Sequence, residues 1–331
     1  MTRLNVPAAL AIVAMVALCV VADEKPPTEG KAPAKTDRTG WHGETMPEGM
    51  RKQAEKPGYL WTGREGVGIE MVYVPPGEFV MGSDDPRAPS EQKPQHKHAI
   101  RDGYYIGRYE ITLTQFRSFV TAAQYRTEAE SGRDWDSQHT PWVRKLGYSW
   151  LAPKLPQTGD HPVVCVTWND AKAFCDWAGL SLPTEAQWEK AARGTDGRRF
   201  PFGNTFPKDG APVANVADIT GKRRHRNWYI VDGYDDGFVN TAPVGSFPAG
   251  RSPFGVHEMT ANVQEWCADL YAPKAYEYCA RGRAKPPTVG AARVLRGGGW
   301  MDTAWMCRAA DRGHHYPSFC SNDLGFRVVK N

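Results

Sequence analysis

The sequence lacks an apolar run long enough to cross a membrane, which argues against an integral membrane protein. It carries a net charge of only +4 over 331 residues, and no basic stripe is interleaved with aromatic side chains. It therefore lacks the electrostatic footprint of a nucleic-acid-binding protein. Internal repeats, a glycine-rich phosphate loop and a serine nucleophile elbow are also absent. We expect a monomer whose partner is a protein or a small molecule.

The N-terminus has the pattern of an export signal. Arg3 precedes an apolar run from Ala8 to Val21, and Ala22 supplies a small residue for cleavage. We interpret residues 1–22 as a signal peptide and residues 23–60, rich in charge and proline, as a disordered tether. Residues 61–331 then form the folded domain. The protein is expected to be secreted, periplasmic or in the cell envelope.

Cysteines are few, and none occurs at a spacing typical of zinc ligands. The chain has 7 cysteines without a CxxC pair, and Cys19 lies within the signal. In an oxidising compartment the other six favour disulfides, for which 15 pairings are open.

Hydrophobic periodicity predicts short strands and a few capped helices. Thr112 begins one helix, a second ends before Gly179, and Thr184 opens a capping box for a third that ends at Arg193. The stretch from Gly194 to Arg293 shows almost no regular pattern. The predicted strands are residues 71–74, 78–81, 104–109, 162–166, 293–296 and 326–329. These features predict an α+β fold with a loop-rich half that needs disulfides or bound ions to hold it.

Seven segments occur together in one order along the chain. They are Met71–Ser83, Tyr109–Thr112, Val166–Ala171, Leu182–Glu189, Asn262–Trp266, Arg296–Trp300 and Gly325–Arg327. Each is weakly specific alone, but the set resembles the formylglycine-generating enzyme family, also called sulfatase-modifying factors, over roughly residues 66–331. The resemblance implies a C-type-lectin-like α+β fold with little regular secondary structure.

The resemblance also implies two structural calcium sites. Carboxylates, amides and main-chain carbonyls suit this cation, so apolar residues can be ligands through their backbone. The matching positions are Asn215, Val216, Asp236 and Phe238 for one site, and Glu258, Ala261, Val263 and Glu265 for the other.

Enzymes of this family use copper and oxygen to oxidise a cysteine of a sulfatase, and they do so with two cysteines that follow a glycine-rich turn. In this chain Asp302 stands at the position of the first cysteine, the second has no counterpart, and Gly299 replaces the serine of the turn. We therefore expect no copper site there. Cys175 and Cys307 match structural cysteines of the family, but Ala192 and Val328 stand where their usual partners would be. The pairing must therefore differ from that of the family, and we expect Cys267 to pair with Cys307 and Cys279 with Cys320.

Two histidine pairs and several tryptophans are the other candidates for binding. His96 and His98 share one face of a predicted edge strand, where they are either a metal pair or ordinary exposed residues. Trp228, in the loop-rich half, is a further candidate for lining a pocket. A possible ligand face near the glycine-rich turn comprises Trp300, Asp302, Trp305, His314, His315 and Tyr316.

Two functions remain open at this point. The first is an exported, calcium-stabilised binding or accessory module without formylglycine-generating activity. The second is an oxidoreductase that generates formylglycine or performs a related oxidation with copper and oxygen. The missing cysteine pair favours the first.

Overall fold

The computed structural model describes residues 59–62, 67–133, 147–282 and 290–331, of which residues 59–62 are described by their backbone alone. The predicted signal peptide and residues 23–58 of the predicted tether lie outside the described residues. The first strand begins at Tyr59, two residues before the expected domain boundary. The strands are β1 (Tyr59–Thr62), β2 (Gly68–Val74), β3 (Gly77–Met81), β4 (His96–Ile100), β5 (Tyr104–Gly107), β6 (Gln264–Leu270), β7 (Arg293–Arg296), β8 (Gly313–His315), β9 (Leu324–Gly325) and β10 (Val329–Lys330). The helices are α1 (Leu113–Ala123), α2 (Trp168–Ala178), α3 (Glu185–Arg193), α4 (Ile219–Arg224) and α5 (Ala275–Ala280).

The first sheet has the order β1-β2-β5-β10, and each neighbouring pair is antiparallel. In β2, Ile69 and Met71 are buried while Gly68 and Glu70 are exposed, as expected for a strand with one face on the core. Next to this sheet, β3 and β4 form a separate two-stranded antiparallel ribbon. The strand predicted over residues 78–81 and the edge strand with His96 and His98 are thus confirmed. The expected hairpin of 78–81 with β2 is wrong, because β3 pairs with β4 and β2 pairs with β1 and β5.

The three predicted helices are confirmed together with their caps. The side chains of Thr112, Thr167 and Thr184 each accept a hydrogen bond from the backbone three residues on, and each cap is reciprocated. Gly179 ends α2 in the left-handed conformation, with φ of 66°. The buried faces of α1 and α2 meet in an aromatic core where the rings of Phe116 and Phe174 are 6.1 Å apart.

The second sheet has the order β8-β7-β6-β9, with β6 antiparallel to β7 and parallel to β9. The expectation that Gly194–Arg293 contains almost no regular structure is therefore wrong for β6, which lies inside this sheet. The strand escaped detection because Gln264, Glu265 and Asp269 interrupt its apolar pattern, although Glu265 is fully buried. Its identity depends on pairing with β7, about thirty residues away in sequence.

The predicted strand over residues 162–166 is wrong as well. These residues make an isolated bridge between Thr112 and Pro162, and Cys165 has a positive φ of 57° that no strand accommodates. They are nevertheless buried, because the chain passes between the α1 cap and the C-terminal segment, where the amide of Cys165 donates to the carbonyl of Ser321. The apolar run over residues 162–166 therefore reflects the burial of this segment and not a strand.

The C-terminal strand predicted at residues 326–329 is displaced, since β9 ends at Gly325 and β10 begins only at Val329. In the described part of the chain, none of the helices is both long enough and apolar enough to span a bilayer. The architecture is α+β, as expected.

Candidate functional site

The glycine-rich turn follows β7 directly and is built on close backbone approach. Gly297 and Gly298 have φ of 98° and 71°, and a Cβ on Gly298 would lie 2.7 Å from the Sγ of Cys307. Asp302 closes the turn, because its carboxylate accepts a hydrogen bond from the amide of Gly299 at 2.9 Å. The position where the family resemblance places a cysteine therefore holds a carboxyl group bound to its own turn.

The acidity of the groups at the turn follows from burial. Burial raises the pKa of Asp302 to about 6, and the nearby Asp323 adds to the shift. Cys307 is fully buried beneath Gly298, and burial raises the pKa of its thiol well above the usual range. The turn thus presents a carboxyl group and covers a protonated thiol, which is a poor ligand for a soft metal ion.

Aromatic rings lie beside this turn. Trp300 contacts Trp228 with ring centroids 5.6 Å apart, and Trp228 in turn stacks on His225 at 4.2 Å. Trp305, further along the same loop, lies against the guanidinium of Arg308 at 3.8 Å. The structure therefore joins Trp228 to the predicted ligand face through Trp300.

The remaining predicted face residues, His314 to Tyr316, are supported by other neighbours. His314 stacks on Tyr271 with centroids 3.8 Å apart, and His315 stacks on Phe319 at 3.5 Å. Burial lowers the pKa of His315 to about 4, and His314 contributes to that shift. These imidazoles lie at the edge strand β8. The predicted face therefore consists of two groups that pack against different neighbours, the aromatic residues beside the turn and the histidines of β8.

The first predicted calcium set converges on Asp236. The amides of Val216 and Phe238 donate to its two carboxylate oxygens, each at 2.9 Å. Burial raises the pKa of Asp236 to about 8. Asn215 lies alongside, and its Oδ1 is buried with no hydrogen-bond partner. A buried carboxyl group and an unpartnered amide oxygen are the kind of ligands that a hard cation such as calcium binds.

The second predicted set centres on Glu258. Its Oε2 accepts from the amide of Gly245 at 3.0 Å, whereas its Oε1 is buried without a partner. Burial raises the pKa of Glu258 to about 7. Glu258 and Ala261 both have positive φ, of 47° and 63°, so the loop is bent sharply around this point.

Glu265 differs from the other predicted ligands because its carboxylate is already occupied. Arg327 donates to both oxygens, with its Nη2 2.7 Å from Oε1, and the indole of Trp188 donates to Oε2 at 2.8 Å. Its expected part in cation binding stays a prediction. Val263, which belongs to the same predicted set, is fully buried.

Glu110 lies beside the second set but was not predicted from the sequence as a site residue. This residue is 1% exposed, and burial together with Glu258 raises the pKa of its carboxyl well above the usual range. Glu110, Glu258 and Glu265 thus share their surroundings with one guanidinium, that of Arg327. When all three carboxyl groups are ionised, one guanidinium leaves two negative charges, which a divalent cation would balance. The only signal in the sequence was the position of Glu110 within the motif Tyr109–Thr112.

Hydrogen bonds join the two loops that carry the predicted calcium ligands to the glycine-rich turn. The side chain of Asn262 accepts from Asn215 at 2.9 Å and donates to Glu110 at 3.0 Å. The carbonyl of Asn262 accepts from the amide of Trp300, and that of Asp302 accepts from Ala217, both at 2.9 Å. The candidate ligand face therefore depends on the conformation of the two loops.

The predicted disulfides are not formed in this structure. Cys267, Cys279 and Cys307 are free thiols. Cys267 packs in the core with Trp188 and Val294, whereas Cys307 packs in a different cluster. Cys320 is buried and adjoins the segment that contacts Cys165. The pairing of Cys267 with Cys307 and of Cys279 with Cys320 stays a prediction.

Comparisons with known proteins agree with this architecture. A family model described as "Sulfatase-modifying factor enzyme 1-like domain" matches residues 63–331. The formylglycine-generating enzyme of Bos taurus is 32% identical over 307 residues, which cover 84% of this chain and 79% of that protein. The inactive C-alpha-formylglycine-generating enzyme 2 of Bos taurus is 31% identical over 293 residues, covering 80% and 89%.

Among solved structures, PvdO from Pseudomonas aeruginosa superposes with a TM-score of 0.63 at 26% identity, covering 83% of this chain and 98% of that one. The expected C-type-lectin-like fold and the family resemblance are thereby confirmed.

Proposed function

Because the chain belongs to the sulfatase-modifying factor family, we propose that it uses the family scaffold as a cation-stabilised binding or accessory module without formylglycine-generating activity. A fold hosts many functions, so the choice depends on the chemistry of the glycine-rich turn. The similarity to both an active and an inactive family member leaves that choice to the residues of this chain.

The observation that carries the proposal is the replacement of a thiol by a carboxyl group in that turn. Asp302 closes the turn through its bond to Gly299, and the thiol of Cys307 is buried beneath Gly298. Copper(I) in proteins prefers soft thiolate ligands. A carboxyl group above a protonated thiol supplies no such pair, which supports the loss of the oxidase chemistry.

We further propose that calcium stabilises the loop-rich half. The oxygen donors of Asn215 and Asp236 would hold one ion, and those of Glu258 and Glu110 would hold the other, with main-chain carbonyls completing each set. The unpartnered oxygens of Asn215 and Glu258 support both sites. The role is structural, since each loop is bonded to the turn that carries Trp300 and Asp302.

The ligand face that we propose consists of Trp228 and Asp302, and Trp300, which is only 4% exposed, supports the ring of Trp228. Trp228 is partly exposed, so its ring offers a stacking surface beside a carboxyl group that is ionised at neutral pH. Such a face suits a peptide or a small molecule with a planar or apolar group next to a hydrogen-bond donor. Export as a secreted or envelope protein belongs to the same proposal, and N-terminal sequencing of the protein from its native host tests cleavage after Ala22.

The test of the proposed function is an activity assay on the purified chain. The protein is incubated with copper, oxygen, a thiol reductant and a sulfatase-type peptide containing cysteine, with the Bos taurus enzyme as the positive control. We expect the peptide mass to stay unchanged. A mass loss corresponding to the aldehyde would contradict the proposal.

Oxidation of a cysteine with copper and oxygen is the second candidate function. The observation in its favour is the 32% identity to a protein named as a formylglycine-generating enzyme. The same assay separates the two functions, because only the second predicts aldehyde.

A further inference from the structure

A cluster of two imidazoles and one thiol lies away from the glycine-rich turn. His96 and His98 come from β4 and Cys279 comes from α5. One ligand atom from each side chain can be chosen so that all three lie within 4.8 Å of one another. These residues have no part in the proposed ligand face or in the oxygen-rich loops.

Secondary structure explains why these side chains meet. Alternation along β4 places His96 and His98 on one face, and Lys97 between them is exposed on the other. In α5, Tyr276 and Cys279 are three residues apart and share a face of the helix. The ring of Tyr276 packs 5.3 Å from that of His96, and this contact places Cys279 next to the two histidines.

His96 is oriented as metal-binding histidines usually are. Its Nδ1 lies 3.0 Å from the carbonyl oxygen of Pro94, which can only accept, so Nδ1 carries the proton. Its Nε2 then carries a lone pair. The residue is only 9% exposed, and Nε2 has no hydrogen-bond partner. Leaving a buried acceptor unsatisfied costs about 1–3 kcal/mol, and a metal ion bound at Nε2 would offset that cost.

We propose that His96, His98 and Cys279 bind a zinc or copper ion. Imidazole nitrogen and thiolate sulfur are the donors that both ions accept, whereas calcium takes oxygen. A tetrahedral ion holds such donors about 3.5 Å apart, so closing the cluster from 4.8 Å needs side-chain shifts of about 1 Å.

The surroundings of the cluster suit a metal site. Phe79 and Met81, which pair with His98 and His96 across the ribbon, form a buried apolar wall with Tyr276. His98 and Cys279 are partly exposed, which leaves an entry path and room for a further ligand.

The test uses cobalt(II) as a spectroscopic probe of the purified full-length protein with any affinity tag removed. Cobalt bound to a thiolate gives a sulfur-to-metal charge-transfer band, which the oxygen donors of the calcium loops cannot produce. We expect one equivalent of cobalt to generate this band. Competition with zinc(II) in one arm and copper(I) in the other then determines which ion binds more tightly.

Variants assign the band to the three residues. Cys279→Ser should abolish it, and His98→Ala should weaken cobalt binding by about tenfold or more. Lys97→Ala lies between the histidines on the opposite face and should leave the affinity unchanged. Absence of the band in the wild type, or its persistence in Cys279→Ser, would overturn the proposal.

Thiol labelling provides a readout that does not depend on variants. Of the six cysteines that the structure describes, Cys279 is partly exposed and the other five are buried. Alkylation mapped by mass spectrometry should therefore modify Cys279 first, and zinc(II) or copper(I) should slow that reaction. Equal alkylation rates with and without both ions would refute metal binding by this thiol.

Discussion

Replacing Arg296 by leucine should destabilise the protein more than the loss of any single surface charge. Arg296 ends β7 immediately before the glycine-rich turn, and its side chain is 0% exposed. Its guanidinium lies 2.5 Å from Glu189 and 3.3 Å from Glu185, and it also donates to the carbonyl of Ala309 at 2.6 Å. This one side chain therefore joins α3, β7 and the loop after Cys307.

The expected magnitude follows from what the substitution leaves behind. Burial would raise the pKa of Glu189, but Arg296 and Arg193 outweigh it, and the net shift is downward. Without Arg296 the buried carboxylate keeps Arg193 at 2.8 Å and the amide of Gly82 at 2.7 Å. Removing one partner of a buried ion pair costs about 3–5 kcal/mol. Since Arg193 remains, we expect the free energy of unfolding to fall by an amount near the lower end of this range, about 3 kcal/mol.

The assay is urea unfolding at neutral pH followed by tryptophan fluorescence, with Lys172→Met as the matched control. Lys172 pairs with Asp176 at 2.6 Å on the surface of α2, where the two side chains are 48% and 61% exposed. Such pairs contribute about 0.3–0.5 kcal/mol. Adding Glu189→Gln to Arg296→Leu should recover part of the loss, because the uncompensated charge is then removed. The reasoning is refuted if Arg296→Leu and Lys172→Met differ by less than about 1 kcal/mol.

Three further predictions concern the turn and its supporting loops. Chelation of calcium should lower the melting temperature of the wild type, and this effect should be smaller in Asn215→Leu, which lacks a cation ligand; an unchanged melting temperature would contradict structural calcium. Because the folded-state pKa of Asp302 is raised from 3.8 to about 6, its contribution to stability is complete below pH 4 and declines as the pH rises through 6. The wild type should thus lose up to about 3 kcal/mol relative to Asp302→Asn between pH 4 and 7, and parallel pH profiles would argue against the shift. Gly298→Ala should cost about 1–3 kcal/mol more than Gly255→Ala, because both glycines have positive φ but only Gly298 lies against a sulfur atom; equal melting temperatures would show that the turn relaxes.

Several of the missed features share one cause. Strand β6 pairs with β7 and β9, which lie 23 or more residues further along the chain, and its buried Glu265 is neutralised by Arg327. Pattern reasoning treats a glutamate as a surface residue, since it cannot detect a guanidinium that arrives from another part of the chain. Glu110 was missed for the same reason, because its partner Asn262 is 152 positions away.

In the candidate ligand face, too, the sequence predicted one part and long-range packing decided the rest. Asp302 at the former cysteine position could be identified from the order of motifs alone. That Trp228 contacts Trp300, and that His314 has a separate support on Tyr271, depends on long-range packing. The metal cluster could be predicted from the sequence only in part. Strand alternation predicted a shared face for His96 and His98 but gave no indication of Cys279.

The sequence by itself determined the local features, because these depend on neighbours within a few residues. Thr112, Thr167 and Thr184 cap their helices through bonds that span three positions, and the alternation of β2 separates its two faces. Only the tertiary structure decided which distant groups share a low-dielectric environment. There, Glu110 and Glu258 are buried together, and their ionised forms are stable only with positive charge nearby. The packing of Tyr276 on His96 likewise brings a thiol to two imidazoles. Both arrangements depend on long-range packing and burial, which no local pattern specifies.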